Sequence, residues 1–474
     1  MLIDGELAPA KSGKMFTIIN PATGETVGEA ALGSADDASR AVSAAHLAFK
    51  EWARTPPKKR AEALRSAGDL VLSRQEKIAH LITLESGKPL RSSLREVATA
   101  ADFIYWFAEE ARRSYGEWVP DPSQDRRLLT IRQPVGVAAI ITPWNFPAYM
   151  VARTASAALA AGCAVVVKPA RQTSLTGLAV ACAFNDAGVP AGVLNMVTGD
   201  SHAIGQAFLE DERVRKISFT GSTEVGMLLM RGAAGHIKRI SLELGGNAPF
   251  VIMPDAALDK AVAGVVAAKF GNAGQMCIAP NRIYVHTSLL EAFLELLIPK
   301  VTQLRVGPGL DPETEIGPLI NEQALEKVDN HVKDALDHGA RLLTGGHRLI
   351  NGACIKGTFY APTVLTDVTA EMRIAQEETF GPVAPVIAFD AEDDVIESAN
   401  NTPYGLAAYL YTRDIGRAIR IAEQLEFGMV GVNSTRIAAV EAPFGGIKLS
   451  GVGREGGHEG LAAFLETKQI ALGL

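Results

Sequence analysis

The chain has 474 residues, 47% hydrophobic and 21% charged, with 53 acidic and 46 basic residues for a formal net charge of −7. At roughly 150 residues per domain this is enough for two or three globular domains, and without a run of five like charges it offers no electrostatic footprint for nucleic acid. Four scattered cysteines (Cys163, Cys182, Cys277, Cys354) form no CxxC pair, which argues against a disulfide framework or thiolate metal site and for a reducing compartment. The most apolar stretch, Ala155–Val167, is shorter than the roughly 18 residues a membrane span needs and ends at Lys168. The start, MLIDGELAPAKSG, lacks the pattern of a secretory signal. A cytoplasmic protein without a membrane partner is expected.

In chain order, a short extended lead-in comes first. Ser34 with Asp37 then resembles a capping box, and Ala38, Ala41, Val42, Ala45, Phe49 and Trp52 follow at helical spacing. A second helical stretch runs from Pro56-Pro57 to Glu85 and stops at Ser86-Gly87-Lys88-Pro89. A third runs from about Leu90 to Tyr115. The chain turns through two prolines around Val119–Ser123, and Arg126–Gln133 reads as extended. From residue 135 short β-rich runs alternate with helical stretches: Val135–Ile141, Ala164–Val167, Leu194–Val197, Ile217–Thr220 and Ile240–Leu242, with helix starts near Pro147, Ser174, Ser201 and Ser222. That pitch predicts βαβ units around a buried parallel sheet. A second alternating region begins at Phe250–Met253 and includes Arg282–His286, helices from Ser288 and from Asn321 to His338, and the strand Val383–Phe389. Helices at Asp394–Asn401 and Ile415–Glu426 and the strand Met429–Asn433 follow. The last 30 residues are glycine-rich and end in Ile470–Leu474. Two interleaved α/β domains with small accessory segments fit this order.

Two glycine patterns mislead. Gly451-Val-Gly453-Arg-Glu-Gly456 matches the dinucleotide fingerprint literally, but too little chain follows it for a βαβ unit. Gly221–Gly226 has P-loop spacing, but Met227 and Leu228 replace the required Lys-Ser/Thr. Phe219-Thr220-Gly221-Ser222 is read instead as a strand–helix turn. Its N–H groups and helix dipole suit a pyrophosphate, or Ser222 simply caps the helix. Lys168 closes a buried strand where doubly wound sheets bind ligands, or is a solvated strand-end lysine. Cys277, in Gly271-Asn-Ala-Gly-Gln-Met-Cys277, has the small, polar surroundings a reactive thiol needs, whereas Cys163 and Cys182 sit among Ala and Val like packed thiols. Glu243, between leucines, should have a raised pKa suited to a general base, or pair with a cation. Asn145, in Pro143-Trp-Asn-Phe-Pro147, offers a fixed amide to an oxyanion or satisfies its own loop.

Together these segments resemble one family. PWNFP at 143–147, VVVKPA at 165–170, FTGST at 219–223, LELGGNAP at 242–249, GQMC at 274–277, EETFGPV at 377–383 and PFGG at 443–446 follow the order of the aldehyde dehydrogenase superfamily. The resemblance covers essentially the whole chain. It implies a Rossmann-like cofactor domain (1–114 and 134–245), an α/β catalytic domain (246–449) and a small oligomerisation element (115–133 and 450–474) supporting a homodimer or homotetramer. It further implies Cys277 as nucleophile, Glu243 as general base and Asn145 as oxyanion-hole amide. The cofactor contacts implied are Thr142, Trp144, Lys168, Gly221, Ser222, Val225, Leu244, Glu378 and Phe380. No metal is implied.

Within the superfamily the chain most resembles succinate-semialdehyde dehydrogenases and related semialdehyde enzymes, which implies a carboxylate-bearing aldehyde. Arg113 is expected to meet that carboxylate, with Arg436 and Phe444 also at the substrate. Gly271 and the alanines of Arg436–Val440 depart from that branch, which usually has arginine and serine there. An uncharged aliphatic or aromatic aldehyde is the alternative. A CoA-acylating relative generally lacks the base that Glu243 matches, and a non-catalytic relative would lack Cys277, Asn145 or Glu243. Arg171, three residues after Lys168, stands where NAD enzymes often carry Glu. A cation beside the ribose favours NADP over NAD, unless Arg171 is solvated.

Overall fold

The computed structural model describes residues 1–122 and 125–474, so the proline turn expected over Val119–Ser123 lies partly outside the described residues. Its larger sheet is built on five parallel strands: Val137–Ile141, Ala164–Lys168, Leu194–Met196, Val214–Thr220 and Arg239–Glu243. Numbered along the chain, they lie side by side in the order 3-2-1-4-5, extended at the edges by Leu2–Ile3, Glu6–Leu7 and Gly451–Val452. This is the doubly wound arrangement, in which ligands bind at the carboxyl ends where the order reverses. The reversal falls between Val137–Ile141 and Val214–Thr220. The strands read as continuous apolar runs because helices cover both faces. Val165, Val166 and Val167 are completely buried, and Pro147–Ala161 and Ala35–Trp52 pack over the sheet.

The second sheet has seven strands, Arg341–Thr344, Thr363–Thr366, Val383–Phe389, Pro280–His286, Ala248–Ile252, Ala407–Tyr411 and Met429–Val432 in spatial order. All but the Arg341–Thr344 edge run parallel. The chain passes from one sheet to the other through Leu244–Asn247, so the carboxyl end of Arg239–Glu243 feeds directly into Ala248–Ile252. A third, antiparallel sheet pairs Leu465–Gly473 with Arg126–Pro134, and the latter with Glu117–Val119. Among the described residues no helix is long and apolar enough to cross a membrane.

Most expected elements appear within a few residues of their expected bounds, with two informative differences. The stretch from Pro56 to Glu85 is two helices, Pro57–Ser73 and Gln75–Ser86, because Arg74 leaves the helical region (φ −100°, ψ 12°). The next helix, Leu90–Glu110, stops five residues before Tyr115. There the backbone tightens into a turn in which the Arg113 N–H donates to Glu110 O and the Tyr115 N–H to Arg113 O. The GxGxxG glycines serve backbone approach. Gly451 (φ 143°) pairs against Glu243, where a Cβ would strike Leu242 O, and Gly453 and Gly456 also have positive φ.

Candidate active site

Two cavities meet at Cys277. The first, about 250 Å³, lies at the carboxyl ends of the first sheet and is walled by Trp144, Gly221, Ser222, Leu244, Glu378 and Phe380. Trp144 and Phe380 meet edge to face with ring centroids 5.5 Å apart. Ser222 is the N-cap of Thr223–Ala233, its Oγ accepting from the Val225 N–H at 3.4 Å. The Gly221 N–H donates to Glu243 O at 3.0 Å, tying the ends of neighbouring strands together. Glu378 is held over the inter-sheet linker, accepting from the Gly246 N–H at 3.1 Å, and burial raises its pKa. A Cβ on Gly245 would fall 2.9 Å from Glu378 Oε2, so glycine is what lets the linker pass beneath that carboxylate.

Thr142, Lys168, Arg171 and Val225 do not line this cavity. Thr142 Oγ1 is buried and has no hydrogen-bond partner. Lys168 Nζ donates to Ser201 Oγ at 2.5 Å, and burial, with Arg171 adding, lowers its pKa to about 8. Arg171 is exposed and lies over the Phe16 ring, 4.7 Å from its centroid.

Cys277 lies on the loop between Leu258–Phe270 and Pro280–His286, beyond a stretch where Asn272 and Ala273 are left-handed (φ 51° and 56°). Burial pushes its thiol pKa up, and the Glu243 charge adds to that. Glu243, at the end of its strand, is buried, and neither carboxylate oxygen accepts a hydrogen bond of normal geometry. Burial raises its pKa to about 8, with Arg153 opposing. Asn145 Nδ2 donates to Gln275 O at 3.0 Å, which leaves its second N–H for another acceptor. The Asn145 backbone is fixed by Lys88, whose Nζ donates to Asn145 O at 2.7 Å and is ion-paired with Glu96.

The second cavity, about 340 Å³, is a tunnel between Leu90–Glu110, Pro147–Ala161, the Cys277 loop and residues 438–444. Phe444 lines it, but the arginines expected at a substrate carboxylate do not. Because the helix ends at Glu110, Arg113 turns away into a separate surface pocket and pairs with Glu110 at 2.7 Å. Arg436 is exposed outside both cavities. The arginines lining the tunnel, Arg95 and Arg153, were not singled out from sequence. Arg153 is ion-paired with Glu455 and enclosed by Tyr149 and Phe444, its guanidinium 5.2 and 4.8 Å from their ring centroids. One arginine among the alanines of Pro147–Ala161 was the available signal, since a buried charge requires a partner.

A parallel sheet with the 3-2-1-4-5 order and a crevice at its reversal defines a doubly wound dinucleotide-type fold. The family model "Aldehyde dehydrogenase family" matches residues 8–470, and the chain belongs to that family. It is 50% identical over 471 residues to a 3-sulfolactaldehyde dehydrogenase of Pseudomonas putida, covering 99% of this chain and 96% of the relative. It is 49% identical over 473 residues to an NADP(+) succinate-semialdehyde dehydrogenase of Escherichia coli (strain K12), covering 100% and 97%. A crystal structure of an E. coli NADP-dependent enzyme superposes with a TM-score of 0.98 at 49% identity, covering 100% of this chain and 98% of that one.

Proposed function

We propose that this protein oxidises a small anionic aldehyde to the carboxylic acid with NADP⁺, through a thioester on Cys277. The observation that carries this reading is that Cys277 lines both cavities, with a buried carboxylate and a buried amide close by. The relatives named above act on 3-sulfolactaldehyde and succinate semialdehyde, aldehydes with a sulfonate or carboxylate head group, which supports an anionic substrate. Hydrolysis by water, not transfer to CoA, is favoured by Glu243.

The first cavity fits a nicotinamide dinucleotide. It lies where the strand order reverses, a helix N-terminus opens beside Gly221 and Ser222, and Thr142 Oγ1 and Lys168 offer hydrogen-bonding groups at adjacent strand ends. Ser222 would face the pyrophosphate, Lys168 and Glu378 the riboses, and Trp144, Leu244 and Phe380 the rings. Arg171 would face a ribose 2′-phosphate, and the relative named for NADP(+) supports that preference. When bound, the dinucleotide supplies the hydride acceptor that oxidation of an aldehyde requires.

Cys277 Sγ forms the new C–S bond and gives up its proton, for which Glu243 is the neighbouring base. The aldehyde oxygen becomes an oxyanion held by the free Asn145 N–H and the Cys277 backbone N–H, and one such donor is worth roughly 10²–10³ in rate. At the thioester stage Glu243 takes a proton from water. The new C–O bond forms, the C–S bond breaks, and Cys277 leaves as thiolate. A panel of carboxylate-bearing and uncharged aldehydes, assayed with NADP⁺ and NAD⁺ and without CoA, tests this. Acid formed fastest from anionic aldehydes with NADP⁺ is expected. A preference for uncharged aldehydes, or a CoA requirement, overturns it.

The same reading divides the chain into a cofactor domain (1–114 and 134–245), a catalytic domain (246–449) and an assembly element (115–133 and 450–474). A homodimer or homotetramer is proposed through the antiparallel sheet, supported by exposed Trp118 and Leu472. A reducing, cytoplasmic setting accords with four free cysteines.

A further inference from the structure

Three cationic side chains line the tunnel, Lys88, Arg95 and Arg153, and the fold neutralises two of them. Lys88 is paired with Glu96 and Arg153 with Glu455, and both cations are buried. Arg91, on the turn before, is paired with Glu315 at 3.7 Å. Among the described residues Arg95 has no carboxylate within ion-pairing distance, and its Nη2 donates only to Ser92 Oγ at 3.3 Å. The tunnel therefore carries one positive charge that no ion pair among the described residues cancels. Such a charge in a concave site attracts an anion.

The surroundings of Arg95 suit an anion. Ser92 Oγ accepts from Arg95, so its hydroxyl proton remains free to donate. Thr99 Oγ1 is turned back onto Arg95 O at 3.0 Å and does not compete for the guanidinium. Further along the same helix, roughly 12 Å from Arg95 at 1.5 Å per residue, Phe103 stacks on Tyr149 with centroids 5.7 Å apart. The tunnel thus changes from cationic at exposed Arg95 to aromatic in its interior. At Gly271 a Cβ would make only ordinary contact with Met276, 3.4 Å from its Cε, so this wall holds no competing side chain.

We propose that Arg95 is a specificity-determining residue that receives the anionic head group of the aldehyde, with the Ser92 hydroxyl as second donor. This rests on the anionic-aldehyde reading above. The test compares kcat/KM for succinate semialdehyde with that for butanal, which has the same chain length and no charge, in wild type, Arg95→Gln and Arg95→Lys. The semialdehyde-to-butanal ratio is expected to fall about tenfold in Arg95→Gln, the size of one charge-assisted hydrogen bond in a partly solvated site, with the loss in KM. Arg95→Lys should recover part of it. Added salt should lower the ratio in wild type and have little effect in Arg95→Gln. If wild type prefers the semialdehyde and Arg95→Gln keeps that preference, Arg95 is not the recognition residue and the anionic-aldehyde reading survives. If wild type shows no preference, both fall.

Discussion

The two cavities that meet at Cys277 are built in opposite ways. The dinucleotide-type crevice is made from strand ends, a helix N-terminus and linker glycines, and its buried Glu243 carboxylate is left open, with no ion-pair partner among the described residues and no hydrogen bond of normal geometry. The tunnel is made from side chains of four distant segments, and its buried charges are closed into the pairs Lys88–Glu96 and Arg153–Glu455. An open polar group costs stability and is available to a ligand, whereas a paired one holds walls in place. Function should therefore be most sensitive on the crevice side and at Cys277, and stability most sensitive in the tunnel wall.

The contrast can be broken in order of effect. Cys277→Ala, at the junction, should cut turnover at least about 10⁴-fold in a reduced-dinucleotide absorbance assay, since removing a nucleophile disables the whole catalytic unit. Lys88→Met strands the buried Glu96 carboxylate and should cost about 3–5 kcal/mol in denaturant unfolding. It should also loosen Asn145, whose carbonyl Lys88 holds. Glu243→Gln should lower steady-state turnover about 10²–10³-fold. Glu243 accepts a proton only as the carboxylate and its pKa lies near 8, so wild-type kcat should rise with pH through about 8. That rise should vanish in the variant. Arg171→Ala, on an exposed side chain, should shift the NADP⁺-to-NAD⁺ ratio of kcat/KM by about tenfold while leaving stability unchanged within about 0.5 kcal/mol. If Lys88→Met is silent in unfolding while Arg171→Ala is not, the division between open and closed polar groups is wrong.

The difference also explains what was legible in the sequence. The crevice is local: Lys168 ends an apolar run, Ser222 follows a strand, and Glu243 closes another, so short motifs reveal it. The antiparallel pairing of Leu465–Gly473 with Arg126–Pro134 joins segments more than 330 residues apart and has no such motif. The tunnel is equally non-local. Arg113 is expected there only from the resemblance to semialdehyde enzymes, but the helix ends at Glu110 and turns Arg113 outward. Arg153 went unnoticed because Pro147–Ala161 reads as a plain apolar helix, and its partner Glu455 lies about 300 residues away inside a misleading GxGxxG pattern. Arg74, which splits one expected helix into two, is an ordinary helix former, so its residue type does not mark the break.

The central claim is that Cys277 carries the acyl group and Glu243 releases it. Intact-mass and peptide mass spectrometry of Glu243→Gln, mixed briefly with succinate semialdehyde and NADP⁺, tests it most directly. The account predicts one acyl adduct per chain on the Cys277 peptide, formed with a burst of reduced dinucleotide and absent in wild type at the same time point. A variant that turns over like wild type, or an adduct on another residue, would contradict it.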